Sequence, residues 1–436
     1  MANSTDKPEP IRFRFAQSLE APQFIERAAQ YAKDPRKYLE EKLGRNVLEE
    51  RKHLLHIPDK VDKDIYGAGE HKANFEKHIA KLFGKESGLF FITGVQAQLA
   101  ALKTHCERVG RNRAAWHVTS HLETAEAGSY KHLYGLERVL LGEKDENPSL
   151  EAIEKALSLP EDQRPAVVLL EIPNRTLGSK TYTWDQLVAI SAACKKAGVI
   201  FHCDGARMWE IEPYYQKTAG KTFADVAGLF DSIYVSFYKG LRGAAGAMLM
   251  GESSLIEDAK VWQKRVGGTV ITLMYEIIDD ERGFNENIGT FARKWKKMDD
   301  LQRGVLEATE KFRTKDGERI ISFVADPATC CQVHNVFSGY TIEELTAARD
   351  KVEEKLNVRL FERLRAKESV ELMTKAERER MLETNGNNVV ATEDDRKHTI
   401  EWMLAEETLE VETKVFVDAF AAFAKELVTA GAAGKQ

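Results

Sequence analysis

The chain has 436 residues, with 63 Lys and Arg against 69 Asp and Glu, a net charge of −6, and 43% hydrophobic and 30% charged residues. These proportions fit a folded enzyme or large binding protein and exclude collagen-like, disordered and disulfide-scaffold classes. The mild acidity speaks against a nucleic acid or an anionic membrane as main partner. The length favours a large domain with a smaller companion.

Five cysteines, Cys106, Cys194, Cys203, Cys330 and Cys331, form no CxxC pair. That usage predicts a reducing, cytoplasmic compartment and inert core thiols, the adjacent Cys330 and Cys331 included. The opening MANSTDKPEPIRFRFAQ lacks the apolar run of a secretory signal. No stretch reaches the ~18 apolar residues of a spanning helix, so no membrane partner is expected.

Residues 1–60 are charged, and FIERAAQYAKDPRKYLEEKL has apolar positions at helical spacing, which predicts an N-terminal helical arm. From 61 to 290 the rhythm changes. NFEKHIAKLFG reads as an amphipathic helix closed by Gly84. LFFIT, AAWHVTS, RVLLG, AVVLLEIP, GVIFHCDGA, SIYVSF and AGAMLMG follow as short, largely apolar strands, with helices such as TYTWDQLVAISAACKKAG between some of them. Buried strands alternating with helices predict an α/β fold, a mainly parallel seven-stranded sheet between helical layers, with ligands at the strand-end rim. From 291 to 436, charged helical stretches surround IISFVA, QVHNVFS and HTIEWML, which predicts a smaller C-terminal α+β domain. Residues 366–397 read as a helix plus an exposed loop around NGNN.

The chemistry concentrates at strand ends. In VSFYKGLRGAAGAMLMG, Lys239 follows an apolar strand and sits between small residues. Most lysines are solvated surface charges, but desolvation at such a place lowers an ammonium pKa and frees the amine for Schiff-base formation. Asp204 in VIFHCDGARMW also ends an apolar strand. By itself it reads as a turn or cap aspartate. Paired with Lys239, it suits a pyridoxal phosphate enzyme, which needs a lysine for the aldehyde and an acid at the pyridine nitrogen. LFFITGVQAQLAALKTHC is a strand, a glycine turn and a helix start, whose free amides would take a phosphate. No GK[ST] follows, against a nucleoside triphosphate. HExxH is absent and HKANFEKH spaces its histidines seven apart, so no metal is expected.

Together these segments resemble the threonine aldolase and β-eliminating lyase family of fold type I, aspartate-aminotransferase-like, pyridoxal phosphate enzymes. The resemblance runs from about Asp64 to Tyr275 through DIYGAGEHKANFEKHIAKLFGKESGLFFITG, HLETAEAGS, LEIPNRTLGS, HCDGAR and SFYKGLRGAAGAML, in the family's order. It implies that Lys239 carries the cofactor, Asp204 meets the pyridine nitrogen and Arg207 grips the substrate carboxylate. His121 would stack on the ring and act in acid–base steps, and Glu126 falls on the family's EAGG glutamate. Thr93, Gly94, Val95 and Gln96 form the phosphate turn.

The chain departs from the family at several places. The turn reads Thr93-Gly94-Val95 where SGT is usual, so one hydroxyl is missing; Ser129 replaces a glycine of EAGG, and GGTVITL replaces GGGMRQ. The early RSDT segment has no clear counterpart. His398, with Arg396 beside it, stands near the place of a late arginine.

The activity so implied is Cα–Cβ cleavage of a β-hydroxy-α-amino acid to glycine and an aldehyde. β-Elimination or racemisation at Cα, with Lys239 as base, is the alternative. A non-catalytic relative would have lost Lys239 or Asp204, and both are present. A homodimer or homotetramer is expected from the resemblance.

Overall fold

A computed structural model describes residues 9–12, 20–361 and 397–433. The helix and loop predicted over 366–397 lie outside these residues, except for Lys397, which opens a strand.

After a two-residue strand β1 (Ile11–Arg12), the helices Ala21–Lys33, Pro35–Leu43 and Arg45–Arg51 occupy the N-terminal stretch. The first two carry proline in the opening turn, where no amide donor is needed, and Asp34 caps the second by accepting from Lys37 N. Tyr31 and Leu39 are fully buried, so these helices pack into the body of the molecule.

Seven strands form the main sheet: β2 (Ser87–Phe91), β3 (Arg113–His117), β4 (Glu137–Leu141), β5 (Val167–Glu171), β6 (Ile200–Gly205), β7 (Ser232–Ser236) and β8 (Ala247–Gly251). Their order is β2-β8-β7-β6-β5-β3-β4. All pairs are parallel except those of β8, which runs antiparallel to β2 and β7. The connection sets that exception. Residues 237–246 are too few for the crossover a parallel pair requires, so β8 returns beside β7 in the opposite direction. Helices cover both faces, which explains why strands such as SIYVS and AMLMG are buried throughout.

In the C-terminal part, β9 (Ile321–Phe323), β10 (Gln332–Ser338) and β12 (Lys397–Met403) form an antiparallel sheet ordered β12-β10-β9, while β11 (Val358–Arg359) pairs with β1. The helices Phe291–Thr309, Ile342–Leu356 and Thr413–Ala433 accompany them. One apolar cluster joins Tyr31, Phe230 and Leu427. The strands β5, β6 and β7 end along one rim, with Glu171 beside Asp204 and Gly205 beside Val235.

Candidate active site

Lys239 lies in the connection between β7 and β8. Arg242 N donates to Lys239 O at 2.9 Å and Gly243 N to Phe237 O at 2.9 Å, closing a tight loop. That loop lies directly on two helices. A Cβ at Gly240 would stand 2.7 Å from Glu210 Oε1, and one at Gly243 would stand 2.2 Å from Asp280 Oδ1, so only glycine fits. Among the described residues no acceptor is bonded to the Lys239 amine; the Tyr238 ring centroid lies 5.6 Å from Nζ. Burial, and then the nearby Arg207 charge, bring its pKa down to about 8.

Asp204 is 2% exposed. Gln98 Nε2 donates to its Oδ2 at 2.5 Å and Ala206 N to its Oδ1 at 3.0 Å, which fixes the plane of the carboxylate. Across the β5–β6 ladder stands Glu171, whose Oε1 accepts from Arg175 N at 3.1 Å. Burial and the Asp204 charge push Glu171 up to about 7. Glu210, also buried, accepts from Gly240 N at 3.1 Å and is raised by its burial. Asp204, Arg207, Lys239, Glu171 and Glu210 thus share one electrostatic neighbourhood at the ends of β5, β6 and β7.

Arg207 is held from behind. Its Nε donates to Gln332 Oε1 at 2.6 Å, and among the described residues nothing accepts from its terminal amino groups. His121 opens the one-turn helix His121–Thr124, and its Nδ1 lies 2.8 Å from Glu126 Oε1. The Glu126 hydrogen bond raises the His121 pKa against burial, with Asp204 adding to it and Lys239 opposing it. Ser129 Oγ donates to the second Glu126 oxygen at 3.3 Å.

Thr93 caps the helix Gly94–Val109, its Oγ1 accepting from Gln96 N at 3.2 Å. An N-cap hydroxyl used as an acceptor keeps its own proton for another partner. Gly94 packs against Tyr234: a Cβ there would lie 2.1 Å from the phenol oxygen. The glycine therefore lets the helix start sit on β7, and Gln98, one turn along the same helix, reaches Asp204. The Gln96 Oε1 atom is buried without a partner.

The structure brings Asp204, Arg207 and His121 within electrostatic reach of Lys239, and Gln98 ties the turn of Thr93, Gly94, Val95 and Gln96 to Asp204. His398 is placed elsewhere. Its Nε2 meets Tyr340 O at 3.1 Å, and lying three residues from Glu401 on β12 it points to the opposite face of the small sheet. Arg396 lies outside the described residues.

Sequence reasoning missed Gln98, Glu171, Glu210, Gln332 and Glu401. Gln98 was visible as a lone polar residue in the apolar run AQLAAL, and Glu171 as a charge ending the apolar VVLL. Gln332 and Glu401 belong to the C-terminal sheet, and nothing local in QVHNVFS or HTIEWML shows which face meets the site.

The donor set fits pyridoxal phosphate. An amine without a bonded acceptor suits an aldehyde, a fixed carboxylate suits a pyridinium, and a helix start with free amides suits a phosphate. Among the described residues, no group of three or more His, Cys, Asp and Glu side chains could hold a metal, and no helix is long and apolar enough to cross a membrane.

Comparison with known proteins adds a family. Residues 58–308 match the family model described as beta-eliminating lyase. An uncharacterized protein of Caenorhabditis elegans is 27% identical over 300 residues, 66% of this chain and 68% of that protein. Low-specificity L-threonine aldolase 1 of Arabidopsis thaliana is 27% identical over 213 residues, 48% of this chain and 58% of that protein. Among solved structures, a protein assigned as an L-allo-threonine aldolase from Listeria monocytogenes superposes with a TM-score of 0.70 at 28% identity, covering 92% of this chain and 99% of that one.

Proposed function

The chain belongs to the beta-eliminating lyase family, and from that premise we propose that it is a pyridoxal phosphate-dependent lyase cleaving the Cα–Cβ bond of a β-hydroxy-α-amino acid into glycine and an aldehyde. Its fold is of type I. The observation that carries the reading is the Lys239 amine, its pKa brought down to about 8 and, among the described residues, without a bonded acceptor, in one neighbourhood with Asp204 and Arg207. The relatives named as threonine aldolases support the aldol direction of the chemistry.

Lys239 would hold the cofactor through its amine, and the Asp204 carboxylate, fixed in place by Gln98 and the Ala206 amide, would meet the ring nitrogen. The amides of Gly94 and Val95, the Thr93 hydroxyl proton and the turn carrying Gln96 would hold its phosphate. When bound, the cofactor supplies an electron sink for the charge left at Cα.

The remaining work belongs to the chain. Arg207 presents its terminal amino groups as a fork, which suits two parallel hydrogen bonds to the α-carboxylate. With the Nδ1 proton given to Glu126, 2.8 Å away, His121 would present Nε2 as its basic nitrogen. It takes the β-hydroxyl proton as the Cα–Cβ bond breaks; the electron pair stays at Cα, the β-carbon leaves as the aldehyde carbonyl, and Cα then takes a proton to give glycine.

The test is a product assay of the purified protein. We expect glycine and acetaldehyde in equal amounts from a threonine isomer. Pyruvate from a β-substituted alanine, or racemised alanine, without glycine release would replace this reading by chemistry at Cα–H.

A further inference from the structure

Among the described residues no carboxylate is bonded to Arg207. Its Nε donates to the neutral side-chain oxygen of Gln332 at 2.6 Å, and the amide nitrogen of Gln332 donates in turn to Glu401. Glu401 also receives Arg175, through both Nε at 3.4 Å and Nη2, and stands 3.8 Å from His334 Nε2. Gln332, His334 and Glu401 share one face of the small sheet, because His334 and Glu401 are directly paired on β10 and β12 and Gln332 lies two residues from His334.

The order of these groups has a physical consequence. A carboxylate accepts and never donates, so Glu401 forces the NH2 end of Gln332 toward itself and the oxygen toward Arg207. Gln332 can therefore accept from Nε without cancelling the guanidinium charge. The charge of Glu401 is instead balanced mainly by Arg175, one amide away from Arg207; against the cost of burial, His334, Arg175 and, last, Arg207 hold its pKa down to about 2. Arg207 is left with its orientation fixed from behind and its terminal amino groups unengaged among the described residues.

We propose that Glu401, acting through Gln332, is the positioning residue that sets Arg207 for the α-carboxylate of the substrate, and that Arg175 is the counter-charge that keeps Glu401 from competing for Arg207. The assignment rests on Arg207 as the carboxylate site in the function proposed above. It gives the C-terminal sheet a part in substrate affinity, without giving Glu401 or Gln332 any contact with the reacting atoms.

The test uses the holoenzyme and two probes, glycine and glycinamide, which differ in the carboxylate. Glu401→Gln lets the Gln332 amide turn over, and Gln332→Leu removes it at similar volume. Calorimetric titration should show glycine binding weakened about tenfold or more in each variant, the scale of one charge-assisted contact. Glycinamide binding should change less than about twofold, and the visible absorbance of the bound cofactor should stay as in the parent. With threonine, KM should rise while kcat holds. Equal weakening of both probes, or glycine affinity unchanged, overturns the proposal; if one variant fails to fold, the other carries the test. Failure of the proposed reaction is read separately, as an absence of glycine and aldehyde from threonine.

Discussion

At the scale of single residues, the chemistry depends on which groups are charged and which are left to meet a ligand. Lys239 is brought down to about 8 by burial and by Arg207, so near neutral pH it is far easier to deprotonate than a surface lysine. Lys239→Ala should remove the visible absorbance of the cofactor and abolish turnover. His121 carries a second prediction. Its pKa is raised first by the Glu126 hydrogen bond, and a base works in its deprotonated form, so activity rises as pH climbs through that pKa. Glu126→Gln removes the raising cause, and the acidic limb of the kcat/KM profile should shift to lower pH. A limb that stays in place would show that this pair does not set it. Replacing His121 by Asn should lower kcat by about 10²–10⁴-fold, the usual range for a general base.

At the scale of elements, the site is made by backbones that lie unusually close. The Gly94 helix start rests on Tyr234, and the glycine-rich connection between β7 and β8 rests on Glu210 and Asp280. Gly94→Ala would press a Cβ into the Tyr234 phenol and should cost about 1–3 kcal/mol, read as a lower thermal midpoint together with weaker cofactor retention. This scale also explains what was legible in the sequence. SIYVS, VVLL and the strand running into Asp204 are apolar runs ending in chemistry-bearing residues, so both the main sheet and the Lys239–Asp204 pair could be read locally. The reversal of β8 could have been read too, from the shortness of 237–246. Arg207's support could not. Gln332 and Glu401 lie more than a hundred residues beyond it, and their role depends on which face of a short antiparallel sheet turns inward. His398 shows the same point in reverse: nearness in sequence to an expected position did not place its ring on the site's side of the strand.

At the scale of the whole molecule, the N-terminal helices are locked to the body through the helix Met274–Asn287. Glu281, fully buried there, receives the Tyr31 hydroxyl at 3.0 Å, His56 Nδ1 at 2.5 Å and His71 Nε2 at 2.9 Å, and Asn285 Nδ2 donates to His56 O at 2.6 Å. Burial alone would raise Glu281, but the His56 and His71 hydrogen bonds outweigh it and hold the carboxylate below its usual range; burial also opposes His71, which its bond to Glu281 nevertheless raises. Glu281→Gln should cost about 3 kcal/mol, the scale of breaking a buried pair. The sign with pH follows from both partners. A depressed carboxylate gives stability that is lost as pH falls through its folded pKa, and a raised histidine gives stability that is lost as pH rises through its own. The gap between parent and variant should therefore be widest between the ordinary values of 4.5 and 6.5 and narrow on either side, as denaturant midpoints across that range can check. The three-part division at residues 60 and 290 predicted from the sequence is proposed to be one of chain order, with the arm an integral part of the folded body. The central claim, that this body is a platform for cofactor-assisted Cα–Cβ cleavage, is tested most directly by incubating the purified, cofactor-loaded protein with threonine isomers and measuring glycine and acetaldehyde together. The account predicts equal amounts of the two products, lost in Lys239→Ala. Glycine-free turnover, or full activity in Lys239→Ala, would contradict it.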